Sequence, residues 1–269
     1  LDPYKRPVSY LRVSVTDRCD FRCEYCMSEN MTFLPKKDLL TLQEIERICI
    51  SFINLGTSKI RVTGGEPLVR KNVMDLFSNL GAFIKKGKLN ELTLTTNGSQ
   101  LEKYAFDLFQ SGVRRVNVSI DTLKPDLFNK LTRRGNLEKV LNGVYKAKEA
   151  GLKVKINTVA LKETNEHEIV DILKWAHSNN FDMTVIETMP LGEIDYDRTD
   201  QFLPLSKVKE TIEKNYTLKK STHYTGGPSR YYDVEETKNR VGFITPLTHN
   251  FCELCNRVRL TCTGKLYMC

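Results

Sequence analysis

Long uncharged apolar runs are missing from this 269-residue chain, whose most hydrophobic stretches are broken by a charge every few positions. A membrane-spanning helix needs about 20 consecutive apolar residues, so the sequence excludes that class. Also missing near the start is the succession of basic, apolar and small residues that marks an export signal. The chain therefore reads as a soluble, cytoplasmic protein. In that compartment its eight cysteines are metal ligands or catalytic thiols rather than disulfide partners. Leu1 stands where an initiator methionine is expected and Cys269 falls within a strand-like run, so both ends are expected to be missing.

With 40% apolar and 28% charged residues the chain can bury a substantial core, and disorder is not the default. A net charge of +8 and a pI near 9.0 suit nucleic acid, an anionic surface or a multiply phosphorylated small ligand. Charge alone does not choose among them.

Short β-branched runs alternate with helical patterns. Tyr10–Val15, Lys59–Thr63, Glu91–Thr96, Arg115–Ile120, Lys153–Val159 and Met183–Glu187 read as strands. Helices between them end at Gly56, Gly112 and Gly151, where a left-handed cap is expected. Six strand–loop–helix units imply an α/β fold with a parallel sheet, doubly wound or curled into a partial barrel. Beyond Gly192 one helix over 203–216 and antiparallel strands around Leu218, Arg230–Val234 and Arg240–Ile244 are expected. A domain change is placed near residue 195, dividing the chain into 1–195 and 196–269.

One face of each strand is polar: Arg12, Ser14 and Thr16 alternate with Leu11, Val13 and Val15, and Asn117, Ser119 and Asp121 with Val116, Val118 and Ile120. Arg61 and Thr63 likewise alternate with Ile60 and Val62, and Lys153, Lys155 and Asn157 with Val154 and Ile156. Parallel strands covered by helices are normally apolar on both faces. A single such lysine is more often a strand end in water. Several unpaired buried charges, however, would exhaust a stability of about 5–15 kcal/mol. The polar face is therefore expected to line a solvated cavity for an anionic ligand.

The cysteines fall into two groups, Cys19, Cys23 and Cys26 in a loop after the first strand, and Cys252, Cys255, Cys262 and Cys269 at the other end. Cys49 stands alone in a helical pattern and reads as a core thiol. Three thiolates spaced x3 and x2 can wrap a cuboidal iron–sulfur cluster and leave one iron open to a substrate. The competing reading is a zinc site completed by a distant ligand.

The run Cys19-Asp-Phe-Arg-Cys23-Glu-Tyr25-Cys26 resembles the signature of the radical S-adenosylmethionine (SAM) superfamily. Thr63-Gly64-Gly65-Glu66-Pro67, one βα unit later, resembles that family's contact with the SAM amino group. Leu11–Cys26, Lys59–Pro67, Leu94–Gly98, Arg115–Asp121 and Phe251–Leu260 narrow the resemblance to the GTP 3′,8-cyclase family of molybdenum cofactor biosynthesis. It implies a partial (β/α)6 barrel with a smaller C-terminal α+β region. It implies two [4Fe–4S] clusters, one on Cys19, Cys23 and Cys26 that cleaves SAM, and one on Cys252, Cys255 and Cys269 that binds the purine. It implies SAM contacts at Tyr25, Gly65, Glu66, Ser119 and Met189, and GTP contacts at Arg12, Lys59, Arg61, Thr95 and Lys155, with Arg257 and Arg259 holding the base beside the second cluster.

The reaction so implied takes a ribose C3′ hydrogen from GTP and joins that carbon to C8 of guanine, giving (8S)-3′,8-cyclo-7,8-dihydroguanosine 5′-triphosphate, the first step of the pathway. An external electron donor and hand-over of product to cyclic pyranopterin monophosphate synthase follow from the same resemblance. No nucleic-acid or membrane partner is expected, and a homodimer is compatible with it. Two positions depart from the family: Thr184 stands where many members have arginine, and the chain ends at Cys269 without the terminal double glycine. Rival readings are another radical SAM enzyme with an auxiliary cluster, acting on a peptide, and a basic zinc-containing nucleic-acid binder using His249, Cys252, Cys255 and Cys269. The basic strand residues lack the interleaved aromatics that the second would need.

The third ligand of the second group is a choice between Cys262 and Cys269. If Arg257–Cys262 is extended, Cys262 lies about 23 Å along the chain from Cys255 at roughly 3.3 Å per residue, too far to share a cluster. A tight turn at Thr263-Gly264 would instead return Cys269 to a position opposite Val258. Cys262 is then a packing residue.

Overall fold

The computed structural model describes residues 7–189, 199–248 and 255–268. Six parallel strands form where the alternation predicts them: β1 (Tyr10–Ser14), β2 (Lys59–Thr63), β3 (Glu91–Thr96), β4 (Arg115–Ser119), β5 (Lys153–Ala160) and β6 (Asp182–Glu187). The crossover helices are α1 (Leu42–Asn54), α2 (Val73–Lys85), α3 (Leu101–Gln110), α4 (Pro125–Thr132), α5 (Leu137–Glu149) and α6 (Ile169–Ser178). Thr41 and Glu44 start α1 with a reciprocal capping box. Gly56, Gly112 and Gly151 adopt φ of 101°, 90° and 91°, as helix-ending left-handed residues should.

The core lies between the sheet and the helices. Leu11, Val13, Ile60, Val62, Leu92, Leu94, Val116, Val118 and Ile156 are buried against Ile45, Leu76, Leu101, Val140 and Ile172 of the helices. Burying a side chain of this size stabilises the fold by about 1.5–3 kcal/mol, so the apolar face goes to the helices and the polar face is left inside.

The C-terminal part adds α7 (Leu205–Glu213) and strands β7 (Leu218–Lys220), β8 (Arg230–Val234), β9 (Arg240–Ile244), β10 (Arg257–Leu260) and β11 (Leu266–Tyr267). They join the same sheet, in the order β11-β10-β1-β2-β3-β4-β5-β6-β9-β8-β7. Pairing is antiparallel for β7 with β8 and for β8 with β9, as expected, but β9 runs parallel to β6 and β10 parallel to β1. Both edges of the six-stranded unit are thus extended by later chain.

The sheet is curled. β2 and β8 are six strands apart, about 29 Å on a flat sheet at roughly 4.8 Å per strand, yet the Lys59 ammonium donates at 2.5 Å to the carbonyl of Thr225 in the β7–β8 loop. Such a contact requires a partial barrel with the polar face as its lumen. Among the described residues no helix is long and apolar enough to cross a membrane.

The hairpin between β10 and β11 forms with a different register from the expected one. The amide of Thr261 bonds to Lys265 and Gly264 has φ 88°, so the loop is the three residues Cys262–Gly264 rather than a two-residue turn. Arg259 faces Tyr267 and Leu260 faces Leu266. Continued by one residue, this register puts Met268, not Cys269, opposite Val258. Cys262 is 7% exposed. Cys269 lies outside the described residues.

Candidate active site

In-register residues of neighbouring strands share a face, so the pairings arrange the lumen in rows. The first holds Arg257, Tyr10, Lys59 and Glu91, and the second Arg259, Arg12, Arg61, Thr93 and Arg115. The third holds Thr95, Asn117, Lys155 and Asp182, whose carboxylate is paired with Arg240, and the fourth Ser119, Asn157 and Thr184. Cations therefore collect at the end where the strands begin. The cysteine loop and the Gly64-Gly65 turn lie at the end where they finish.

At the finishing end most polar groups satisfy one another, with Asp17 Oδ1 and Arg22 Nε as buried exceptions. The loop after β1 is pinned by Arg22 and Glu24 amides donating at 2.9 Å to Thr132 and Leu131, and it turns through the Cys26 amide donating at 2.9 Å to the Cys23 carbonyl. The turn after β2 lies directly on it: the amides of Gly65 and Glu66 donate at 2.8 Å to the carbonyls of Thr16 and Arg18. A Cβ on Gly65 would sit 2.3 Å from the Arg18 oxygen, which is why glycine is needed there.

Glu66 is fully buried and accepts from the amides of Leu68 (2.9 Å) and Asn97 (2.6 Å) and from the Thr96 hydroxyl (2.8 Å). Burial raises its pKa to about 7 against those hydrogen bonds. The Asn97 amide group bridges to Asp20 at 2.7 Å, and the Ser99 hydroxyl donates to the other Asp20 oxygen at 2.5 Å. The Tyr25 hydroxyl donates at 2.5 Å to Asp121, whose other oxygen accepts from the Val159 amide at 2.8 Å. Burial takes Asp121 to about 6. Asp20, Asn97, Ser99 and Asp121 are structural partners that the SAM-contact expectation did not include.

Burial, reinforced by Asp20 and Glu66, raises the Cys19 thiol to about 12, and burial next to Asp121 raises Cys23 well above the usual thiol range. A thiolate at either position needs a compensating positive charge, which cluster iron provides. Among the described residues no three donors converge as they would around one metal ion. Three thiols spread along a single loop instead suit separate corners of a cuboidal cluster, one thiolate per iron. The donor set fits the cluster.

The cationic end is built differently. Burial and the charges of Arg259, Arg61 and Arg257 lower the Arg12 pKa to about 10, with Tyr10 opposing them. The guanidinium carbons of Arg61 and Arg257 lie 5.7 and 5.8 Å from the Tyr10 ring, and Lys59 lies 4.9 Å from it. Arg12, Arg61 and Arg259 form no ion pair among the described residues, and Nε of Arg61 and Arg259 is buried without a hydrogen-bond partner. Glu91 is the acidic member of the group, bound to Lys59 at 2.8 Å and to Arg115. Burial, against Glu91, lowers Lys59 to about 8.

Lys155 is 6% exposed. Its ammonium donates at 3.0 Å to the Tyr231 hydroxyl, and burial lowers its pKa. Burial raises the Tyr231 phenol, but Lys155, Thr225 and Ser229 outweigh that and bring it to about 8.

The remaining expected residues are distributed as follows. Thr95 and Ser119 are half-buried in the lumen rows, and Gly65 is exposed at the loop surface. Met189 is 36% exposed at the end of a described stretch. Thr184 is fully buried in the lumen with an unpartnered hydroxyl. Lys153 is exposed, the strand-end position in water. Cys255 is half-buried beside β10, while Cys252 and His249 lie outside the described residues.

Comparison with known proteins bears directly on this arrangement. Residues 13–176 match the Radical SAM superfamily and residues 181–269 match Molybdenum Cofactor Synthesis C. A GTP 3′,8-cyclase of Sinorhizobium medicae (strain WSM419) is 63% identical over 269 residues, spanning 100% of this chain and 77% of the relative. A GTP 3′,8-cyclase of Brucella ovis (strain ATCC 25840 / 63/290 / NCTC 10512) is 61% identical over 269 residues, spanning 100% and 78%.

Among solved structures, Streptococcus suis SuiB is similar with a TM-score of 0.66 at 18% identity, over 98% of this chain and 60% of SuiB. The AdoMet-bound anSMEcpe is similar with a TM-score of 0.57 at 19% identity, over 77% of this chain and 56% of that chain. At these identities the two structures speak for the fold alone. With a lumen split between a cysteine-bearing end and a cationic end, and relatives matched along its entire length, the chain belongs to the GTP 3′,8-cyclase family of radical SAM enzymes.

Proposed function

We propose that the chain, a radical SAM GTP 3′,8-cyclase, works by holding SAM and a [4Fe–4S] cluster at the finishing end of the barrel and the triphosphate of GTP at the cationic end. The observation that carries this is the pair Arg12 and Arg61, which, like Arg259 beside them, the residue turned to the base, has no ion-paired carboxylate among the described residues. Unit charges 4 Å apart at an effective dielectric near 20 interact by about 4 kcal/mol, so such a row is unfavourable until an anion joins it.

In this reading Cys19, Cys23 and Cys26 ligate the cluster, and Tyr25, Gly65, Glu66, Ser119 and Met189 serve SAM. Glu66 acts through the groups it braces as well as by its charge. Arg12, Lys59, Arg61, Thr95, Lys155, Arg257 and Arg259 hold GTP. When bound, the cluster and SAM together supply the radical that takes the C3′ hydrogen of the ribose. The chain's own residues orient the sugar by anchoring the phosphates at one end, which turns C3′ toward the SAM end.

A second cluster on Cys252, Cys255 and Cys269, close to Arg257 and Arg259, belongs to the same reading. So do a region boundary near residue 195, a cytoplasmic location, an external electron donor and hand-over to a pyranopterin-forming enzyme. The test is product analysis of anaerobically reconstituted protein with SAM, a chemical reductant and GTP. Both 5′-deoxyadenosine and the cyclised nucleotide are expected, and Cys23→Ala is expected to make neither. Stoichiometric zinc without acid-labile sulfide would overturn the reading.

A further inference from the structure

Tyr231 has no role in the site as described so far, yet its side chain spans the lumen. It stands on β8, which is separated from Lys155 on β5 by β9 and β6. What lets it cross is Gly242, its partner on β9: a Cβ there would lie 2.9 Å from the Tyr231 ring and 2.2 Å from the Ser229 hydroxyl. The ring passes over that gap, 3% exposed, and its hydroxyl meets the Lys155 ammonium at 3.0 Å, with the ammonium 5.5 Å from the ring centre. His223 packs edge-on against the ring at 4.9 Å.

The loop below is tied to the other lysine. Thr225 gives its carbonyl to Lys59 at 2.5 Å and brings its hydroxyl to 3.4 Å from Tyr231 Oη. One short segment therefore touches both lysines from the C-terminal half of the chain.

The hydrogen-bond accounting is incomplete in this arrangement. Lys155 donates to Tyr231, so the phenol keeps its own proton to give. The Thr225 hydroxyl, at 3.4 Å, lies beyond the usual range of 2.5–3.0 Å for a bond between hydroxyls, and the buried Ser229 hydroxyl, which also acts on the phenol, makes no hydrogen bond. Lys155 is equally unfinished, since its charge is buried against a neutral phenol and no carboxylate forms an ion pair with it among the described residues. A phosphate oxygen between them would accept from the phenol and neutralise the ammonium.

We propose that Tyr231 is a substrate-contact residue whose hydroxyl donates to a phosphate of the bound nucleoside triphosphate, with Lys155 pairing to the same phosphate and Thr225 seating the Lys59 side of the chain. This inference rests on the reading that Lys155 binds the triphosphate. The test measures the affinity of anaerobically reconstituted protein for GTP and for guanosine in Tyr231→Phe, Lys155→Met and the double variant. Circular dichroism and iron content report on folding, and phenylalanine keeps the ring packed over Gly242.

Tyr231→Phe is expected to weaken GTP about tenfold and leave guanosine unchanged, and to add little in the Lys155→Met background because both groups serve one phosphate. Full GTP affinity in Tyr231→Phe, with Lys155→Met still losing it, would overturn the contact and reduce the tyrosine to packing. Equal affinity of Lys155→Met and the unaltered protein for GTP would instead overturn the underlying reading, and the inference with it.

Discussion

The two ends of the lumen are held together in opposite ways. At the cysteine-loop end Glu66, Asp20, Asn97, Tyr25 and Asp121 satisfy one another or the backbone at 2.5–2.9 Å. At the other end Arg12, Arg61 and Arg259 crowd together without a carboxylate, and two buried Nε atoms have no acceptor. The first is a finished scaffold that fixes a loop before any ligand arrives. The second is destabilised by its own charges and is completed by a ligand, so substitutions there should affect binding while leaving the ligand-free fold intact or firmer.

The largest effect should come from breaking the scaffold. Gly65→Ala forces a Cβ to 2.3 Å from the Arg18 carbonyl, a clash with backbone that cannot rotate away. Overpacking of this kind costs roughly 1–3 kcal/mol and pushes the cysteine loop off its seat. Iron content of the first cluster and SAM binding should both fall sharply, and retention of both at normal levels would show that the contact is not needed.

Next in size is Arg61→Ala. Removing one charge-assisted contact of about 1.5–3 kcal/mol should weaken GTP roughly tenfold to a hundredfold, with guanosine little changed. The ligand-free unfolding midpoint should hold or rise, because a like-charge neighbour has gone. Equal losses for both ligands would move the arginine to the base or to structure.

A smaller effect follows from pH. Lys59 loses its proton near pH 8 and Tyr231 becomes an anion near the same pH. Both changes remove positive or add negative charge next to the phosphates. KM for GTP should therefore rise by several-fold as pH passes upward through about 8, while binding of guanosine stays flat. A flat GTP profile to pH 9 would mean that neither group meets the phosphates.

The smallest effect is expected at Cys262, which sits in the β10–β11 loop and gives its carbonyl to the Leu40 amide at 2.8 Å. Cys262→Ala should keep iron and sulfide at full content with a loss of stability near 1 kcal/mol, as for deletion of a small buried group. Loss of one cluster would make Cys262 a ligand after all.

The six inner strands were legible because a helix-covered face and a wet face impose a two-residue alternation that survives in the chain. Local contacts were legible for the same reason: the cysteine loop and Gly64-Gly65 come from neighbouring units. What could not be read were the long-range pairings. Nothing in Arg240–Ile244 or Arg257–Leu260 states that they lie parallel to β6 and β1, because that choice is made by packing across the sheet edges. The same limit hid Tyr231. Tyr231 and Tyr232 are adjacent, and only the register with Gly242 turns the first into the lumen. The hairpin register missed by one residue because a three-residue loop and a two-residue turn share the same glycine signal.

The most direct test of the unfinished cationic end is thermal unfolding of the anaerobically prepared protein with inorganic triphosphate, with guanosine and with neither. A ligand that binds only the folded state at a hundred times its Kd adds about 2.7 kcal/mol. If the arginine row is a phosphate site, triphosphate alone should raise the midpoint clearly, with no guanosine present. A midpoint indifferent to triphosphate would contradict it.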